Sequence, residues 1–306
     1  MLIGAVDIGG TKIAVGLVDE HGRILRQVVC PTEADRGFIN GVERIEQMLR
    51  GCLQAFPDEQ LAGIGIGCTG PVDPISGIMG NNNFLVSWEG ENLSAPFVER
   101  FGVAVALEND ADAAVLAEAA WGAGRGASRC LYITVSTGIG GGLVLDGHLY
   151  RGVDGAHPEM GHQVIEPTGP ICTCGAYGCW EALASGPALA AWYNQQQPVP
   201  PEPVDAREVC RLASEGQPLA LAAVEREGFY LGIGLANLVS LFTPDVIVLG
   251  GGVMESWPMF EDAVRAMIRR NCRLVPHERT RLEQAALGLQ TGLAGAARVW
   301  LHRYGS

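Results

Sequence analysis

The chain has 306 residues, 48% of them apolar, and carries 34 acidic against 21 basic side chains for a net charge of −13. That length suits one large domain or two medium ones with a sizeable core. The charge argues against nucleic acid or an anionic membrane as main partner, because both reward clustered Lys and Arg. Residues Leu2 to Leu25 read as strand, glycine turn, strand, tight turn, strand, with Gly9-Gly10-Thr11-Lys12 as the first turn. Phe38 to Phe56 places Ile39, Val42, Ile45, Leu49, Cys52 and Phe56 on one helical face. Ile64 to Cys68 is a short strand, Asn81-Asn82-Asn83 opens a polar loop, and Val103 to Leu107 is a strand ending at Glu108-Asn109-Asp110, with a helix expected from about Ala111 to Trp121.

The opening pattern then recurs. Leu131 to Val135 is a strand, Ser136 to Gly141 a glycine turn, Leu143 to Leu145 a returning strand, and Asp146-Gly147 a hairpin signal. The recurrence predicts an internal duplication of two halves, each opening with a glycine-turned hairpin. Gln195 to Pro203 is Pro-rich and reads as an exposed loop. Helical patterns run from about Ala206 to Phe242, Asp245 to Leu249 is a strand ending in Gly250-Gly251-Gly252, and Gly292 to His302 is helical. Strands alternating with helices predict an α/β fold with partly parallel sheets. The longest apolar stretch, Tyr230 to Val253, is broken by Asn237, Thr243, Pro244 and Asp245, so it reads as buried helix then buried strand and not as a membrane span. No signal peptide is expected.

Three strands end in glycine turns, and phosphate oxygens want several converging backbone N–H donors that only glycine lets come close. Thr11 and Thr137 add hydroxyl donors. None of the turns is a Walker A loop. Each alone reads first as a structural turn; the three together suggest a nucleotide cleft between two similar halves. Asp7, at the end of the first strand, can hold hydrated Mg²⁺ or cap the turn. Asp110 is suited either to general-base work or to capping the helix that follows it. His162, Cys172, Cys174 and Cys179 have the spacing H-x9-C-x-C-x4-C, the thiolate and imidazole set that zinc prefers, with a plain cluster of core cysteines as the alternative. The other six of the nine cysteines read as buried small hydrophobes in a reducing cytoplasm.

At these residues the chain resembles the ROK family of sugar kinases, within the actin-like, hexokinase-like ATPases. The matching runs are DIGGTK at 7–12, ENDA at 108–111, VSTGIGGG at 135–142, EMGH at 159–162, CTCGAYGCWEALASG at 172–186 and VIVLGGGV at 246–253. The resemblance implies an α/β, two-domain, actin-like (ribonuclease H-like) fold with a duplicated βββαβα core and ATP and sugar in an interdomain cleft. Its smaller domain would be residues 1–118 plus 290–306 and its larger one 119–289. It further implies cytoplasmic, ATP- and Mg²⁺-dependent sugar phosphorylation by a homodimer or homotetramer. Asp110 becomes the general base. Asn83, Asn109, Asp110, Glu159, His162 and Glu181 become sugar ligands. Asp7, Gly9, Gly10, Thr11, Lys12, Thr137, Gly138, Gly250, Gly251 and Gly252 attend the nucleotide, and a structural Zn²⁺ sits on His162 and the three cysteines.

Two runs depart from the family's usual form. ENDAN here reads ENDAD, putting Asp112 near the base, where it is expected to face away from the sugar. The AGExGH of glucokinase-like members here reads HPEMGH, with His157 and Pro158 resembling the fructokinase branch. The cysteine run and ENDA are closer to the glucokinase and N-acetylhexosamine kinase branches. A glucokinase-like hexokinase is therefore expected, with fructose or N-acetylated hexoses next. Family relatives that act as sugar-responsive repressors carry an N-terminal helix-turn-helix, for which a first strand at residue 2 or 3 is expected to leave no room.

Overall fold

A computed structural model describes residues 1–81, 83–197 and 202–305. The chain divides into two compact units: Met1–Gly126 with Gly142–Pro158 and Ala285–Ser306, and Ala127–Gly141 with Glu159–Gln284. The connections thus fall at Gly126, inside the Gly141–Gly142 run, at Pro158 and at Gln284.

The first unit opens with three strands, β1 (Leu2–Ile8), β2 (Lys12–Val18) and β3 (Ile24–Pro31), followed by helix α1 (Phe38–Leu53), β4 (Leu61–Cys68), α2 (Ala95–Phe101), β5 (Ala104–Asn109) and α3 (Asp110–Trp121). Its sheet has the order β3-β2-β1-β4-β5, antiparallel across β1–β2 and β2–β3 and parallel across β1–β4 and β4–β5. Apart from Asp7, every β1 side chain is buried, as expected of a strand covered on both faces. On α1, Phe38, Val42, Ile45, Leu49 and Cys52 face the core. Ile39, expected on that face, is instead exposed, because Phe38 takes the first core position. The helix ends at Leu53, so Phe56 packs on the core from the turn beyond it.

The chain continues through β6 (Arg129–Val135), β7 (Ile139–Leu145), β8 (His148–Leu149), α4 (Trp180–Ala184), α5 (Gly186–Gln195), α6 (Ala206–Ser214), α7 (Pro218–Phe242), β9 (Val246–Gly250), α8 (Trp257–Asn271) and β10 (Arg281–Gln284), and ends in α9 (Thr291–Tyr304). The second sheet has the order β10-β9-β6-β7-β8, with β9 parallel to both β6 and β10. Read from β8, that order is 8-7-6-9-10, the same as 3-2-1-4-5. The internal duplication is therefore a matter of topology as well as of motif. Asp146 (φ 49°) and Gly147 (φ 82°) turn β7 into β8 with both central residues left-handed, as a two-residue hairpin demands. Of the Pro-rich stretch Gln195 to Pro203, residues 198–201 lie outside the described residues. Among the described residues no helix is long and apolar enough to cross a membrane.

Within the first unit α9 lies directly on β4. A Cβ at Gly63 would overlap the Trp300 ring, and one at Gly65 would overlap the Ala296 carbonyl. Glu118, wholly buried on α3, ties the C-terminal stretch down: its carboxylate accepts from the backbone N–H groups of Ala123 (2.8 Å), Ala286 (3.2 Å) and Leu287 (3.0 Å). Removing it orphans three donors, so Glu118→Ala should cost about 3 kcal/mol or more, with Glu118→Gln in between. Urea titration checks this.

Glu227 is the opposite case. It lies on α7, fully buried, and neither carboxyl oxygen has a hydrogen-bond partner among the described residues. Burial lifts its carboxyl well above the ordinary carboxylate range, opposed weakly by Arg226. The native state therefore keeps it protonated while the unfolded chain ionises, and stability is lost as pH rises above the unfolded value of about 4.3. Glu227→Met should stabilise the fold by about 1–3 kcal/mol, and thermal melts should show that gain widening from pH 5 to pH 8.

Candidate active site

The residues singled out above fall into two sets, one per unit. In the first unit, Asp7 sits half-buried between Ala14 of β2 and Gly67 of β4. Burial first, and then the charge of Asp110, push its carboxyl up to about 7, with Lys12 acting in the opposite direction. Gly292, in the first turn of α9, abuts it so closely that a Cβ there would overlap the carboxylate. In the adjoining turn, Gly9 N–H donates to the Lys12 carbonyl (2.9 Å), so that amide holds the turn itself. Thr32 braces it from β3's end, its hydroxyl donating to Gly9 O (2.7 Å) and its N–H to Thr11 O (3.0 Å). Thr11 and Lys12 are exposed, as is Asn83.

At the β5–α3 junction, the residue in capping geometry is Asn109 (φ −60°, ψ 148°). Its Oδ1 accepts from Ala111 N–H (2.8 Å), and its Nδ2 donates to Gly70 O (3.3 Å). Asp110 is the first helical residue, half-buried, at the positive end of the helix dipole. Its charge also helps to raise the buried Cys68 thiol, after burial itself, which places the ends of β1 and β4 and the start of α3 around one acidic spot. The two departures from the family's usual runs meet here: His157 Nδ1 lies 2.8 Å from Asp112 Oδ2.

The run Ser136–Gly142, which lies in the second unit up to Gly141, is only partly a turn. Ser136, Thr137 and Gly138 turn, while Gly140, Gly141 and Gly142 belong to β7. Gly141 is bare because a Cβ would come within 2.7 Å of both Ile133 and Met160. Gly138 is bare because a Cβ would overlap the carboxylate of Glu181. That carboxylate accepts from Ile139 N–H (2.9 Å), leaving its second oxygen for other partners. Thr137 and Gly252 line one pocket of about 470 Å³, together with Asp205, Arg207, Cys210 and Glu255. The second and third glycine turns thus share a cavity large enough for a small ligand. Gly251 (φ 89°) must be glycine on conformational grounds, and Gly250 faces Tyr132 inside the sheet, so only Gly252 of the three lines the cavity. Asp205, Arg207, Cys210 and Glu255 were not singled out from the sequence. Asp205 caps α6 through Glu208 N–H (2.9 Å), and a capping signal gives no hint of a ligand.

The donor atoms of His162, Cys172, Cys174 and Cys179 all lie within 4.8 Å of one another. His162 Nδ1 is 3.5 Å from Cys172 Sγ, and the sulfurs of Cys174 and Cys179 are 3.6 Å apart. A disulfide would need about 2.05 Å, whereas sulfurs each about 2.3 Å from a tetrahedral zinc sit at this kind of spacing. Residues 173–177 are all exposed, so no apolar core holds the loop. The other edge of the His162 ring faces Glu159, with Nε2 4.0 Å from a carboxylate oxygen. Three thiols and one imidazole in this arrangement fit zinc.

A profile of the ROK family matches residues 3–303. A glucokinase of Thermotoga maritima is 36% identical over 266 residues, covering 83% of each chain. The crystal structure of a ROK family glucokinase from Streptomyces griseus, in complex with glucose and AMPPNP, superposes with a TM-score of 0.82 at 34% identity, covering 97% of this chain and 98% of that one. The xylose repressor of Bacillus subtilis is 36% identical over 265 residues, 86% of this chain and 67% of the repressor. With two sheets of one repeated topology, the motifs in their places along it and the match running nearly end to end, the chain belongs to the ROK family and has the actin-like ATPase fold.

Proposed function

We propose that the protein is an ATP-dependent hexose kinase that transfers the γ-phosphate of ATP to the 6-hydroxyl of glucose, with Asp110 as general base. The observation that carries this reading is the division of labour at the β5–α3 junction. Asn109 caps the helix, so the helix start does not need Asp110 as its cap. A carboxylate on the first helical residue is suited to accept the hydroxyl proton as the sugar oxygen attacks Pγ. The bond from Pγ to the bridging oxygen then breaks and ADP leaves.

The other residues supply position and charge. Thr11, Lys12, Thr137 and the glycine turns donate to phosphate oxygens, and the cavity lined by Gly252 takes the adenosine. Asp7 would hold hydrated Mg²⁺, whose charge offsets that of the phosphates; its elevated carboxyl value means that ionising Asp7 goes with taking up the cation. Glu159, Glu181 and the Nε2 edge of His162 read sugar hydroxyls, and Asn109 and Asn83 are the further sugar ligands of this reading. The zinc is structural: its four ligands leave no open position. The kinase relatives support glucose first, and fructose or N-acetylated hexoses follow because HPEMGH departs from the glucokinase run.

The repressor relative supports a second reading, a sugar-responsive regulator without catalysis. An ATP-dependent phosphorylation panel of glucose, fructose, mannose, N-acetylglucosamine and N-acetylmannosamine, ranked by kcat/KM, separates the two. Glucose should rank first. A different leading sugar would correct the substrate, and sugar binding without any turnover would replace the kinase reading by the regulator.

A further inference from the structure

Asp110 stands midway between two buried acids. Glu108, two residues before it on β5, pairs through Oε1 with Arg151. Asp112, two residues after it on α3, pairs through Oδ2 with His157 Nδ1 at 2.8 Å. Asp112 is completely inaccessible and Glu108 nearly so. Each carboxylate has one oxygen with a basic partner and one with no hydrogen-bond partner among the described residues. The second oxygen of Asp112 faces the backbone of β7, where a Cβ on Gly142 would come within 3.0 Å of it. Both basic partners come from the same stretch, Gly142–Pro158.

We propose that Asp112 and His157 are a positioning pair for Asp110: with Glu108 and Arg151 they pin the β5–α3 junction on both sides, and the histidine masks a buried charge two residues from the base. This inference rests on the reading of Asp110 as general base. The physical reason is asymmetric. A buried carboxylate that loses its only partner keeps the full penalty of desolvation, whereas removing both members of the pair leaves little to compensate. An unmasked Asp112 also repels Glu108, whose carboxyl its charge already helps to raise, and the two acids lie two residues to either side of Asp110 in the chain. The first turn of α3 relieves that repulsion by shifting, and Asp110 shifts with it. A misplacement of the base slows the chemical step without touching the groups that bind nucleotide.

Steady-state kinetics of His157→Ala, Asp112→Asn and the double variant Asp112→Ala/His157→Ala, measured well below each melting midpoint, test this. His157→Ala should lower kcat by at least 30-fold while the KM for ATP stays within about 3-fold of wild type. Asp112→Asn keeps a hydrogen-bond acceptor for His157 without the charge and should lose less than about 5-fold. The double variant should regain at least 10-fold in kcat over His157→Ala. If His157→Ala does not fold, His157→Gln replaces it in the same comparison, with Asp112→Asn/His157→Gln as the rescue.

A pair that only stabilised the fold would lower the melting midpoint and leave kcat unmoved, which overturns the proposal. So would a double variant no faster than the single one, or a rise in sugar KM at unchanged kcat, which would make His157 a sugar ligand. Asp110→Asn, assayed alongside, keeps the two readings apart. An inactive Asp110→Asn with a normal His157→Ala refutes the positioning pair alone, whereas an active Asp110→Asn refutes the base.

Discussion

Asp110→Asn should lower turnover by about 10³-fold, within the range expected for losing a general base, while sugar affinity changes little. The amide has the size and hydrogen-bonding reach of the carboxylate but cannot take the hydroxyl proton. Asn109 still caps α3, so the helix start survives the change. The same substitution carries a second signature of opposite sign. The charge of Asp110 is one cause of the elevated carboxyl of Asp7, lifted to about 7. A raised acid costs native stability as pH climbs from the unfolded value of about 3.9 through the folded one. Removing the neighbouring charge lowers the folded value, so Asp110→Asn should melt higher than wild type at pH 7–8, and the difference should vanish near pH 4. Coupled ADP-release kinetics, calorimetric sugar titration and melts across pH read all three quantities. Turnover near that of wild type would remove Asp110 from the base role.

Stripping the metal should have the other large effect. Purified protein is expected to hold about one zinc per chain, and chelation should unfold the loop around 163–179 and abolish sugar binding. In zinc-stabilised peptides the apparent binding free energy is about 10–16 kcal/mol at neutral pH, far more than this loop can draw from packing. Only Cys172, Gly178 and Cys179 of residues 171–179 are buried. What else orders it are backbone bonds such as Cys172 N–H to Ala176 O (2.7 Å) and Ile165 N–H to Gly178 O (2.9 Å). Without a cation, burial pushes the Cys179 thiol up to about 12. Zinc binding therefore releases protons, and affinity should fall as pH falls. Cys174→Ser should mimic chelation in part. Elemental analysis, together with hydrogen exchange of residues 163–179, gives the readout. Metal-free protein with full activity would overturn the zinc site.

The strands and their turns were legible in the sequence because they are short apolar runs closed by glycine, and their recurrence carried the duplication. What escaped has physical reasons. β10 reads Arg-Leu-Glu-Gln and buries only Leu282, so its pairing with β9 comes from the backbone and leaves no apolar pattern. α8 buries Trp257, Phe260, Val264 and Ile268, but its solvent face is densely charged and its start follows three glycines that look like a loop. Asn109 and Asp110 are both good capping residues. Which of them caps is decided by backbone angles, not by residue type. Gly140–Gly142 resemble a phosphate turn yet lie in a strand, because at Gly141 and Gly142 neighbouring side chains and backbone approach too closely for a Cβ. The Asp112–His157 contact joins residues 45 positions apart, a distance no local pattern encodes.

The seating of α9 on β4 has a consequence for biosynthesis. Gly63 and Gly65 leave β4 bare where Ala296 and Trp300 belong, and Trp300 Nε1 donates to Ala104 O (3.1 Å) at the start of β5. The last strand of that sheet leaves the ribosome at Asn109, whereas α9 begins at Thr291. At usual translation speeds of about 5–20 residues per second, that sheet waits on the order of 10–40 s for its covering helix. The nascent chain therefore passes through a stage in which its N-terminal sheet is paired but uncovered on one face. A ribosome stalled before Thr291 should display that face to trigger-type chaperones, and release of the final helix should end their hold.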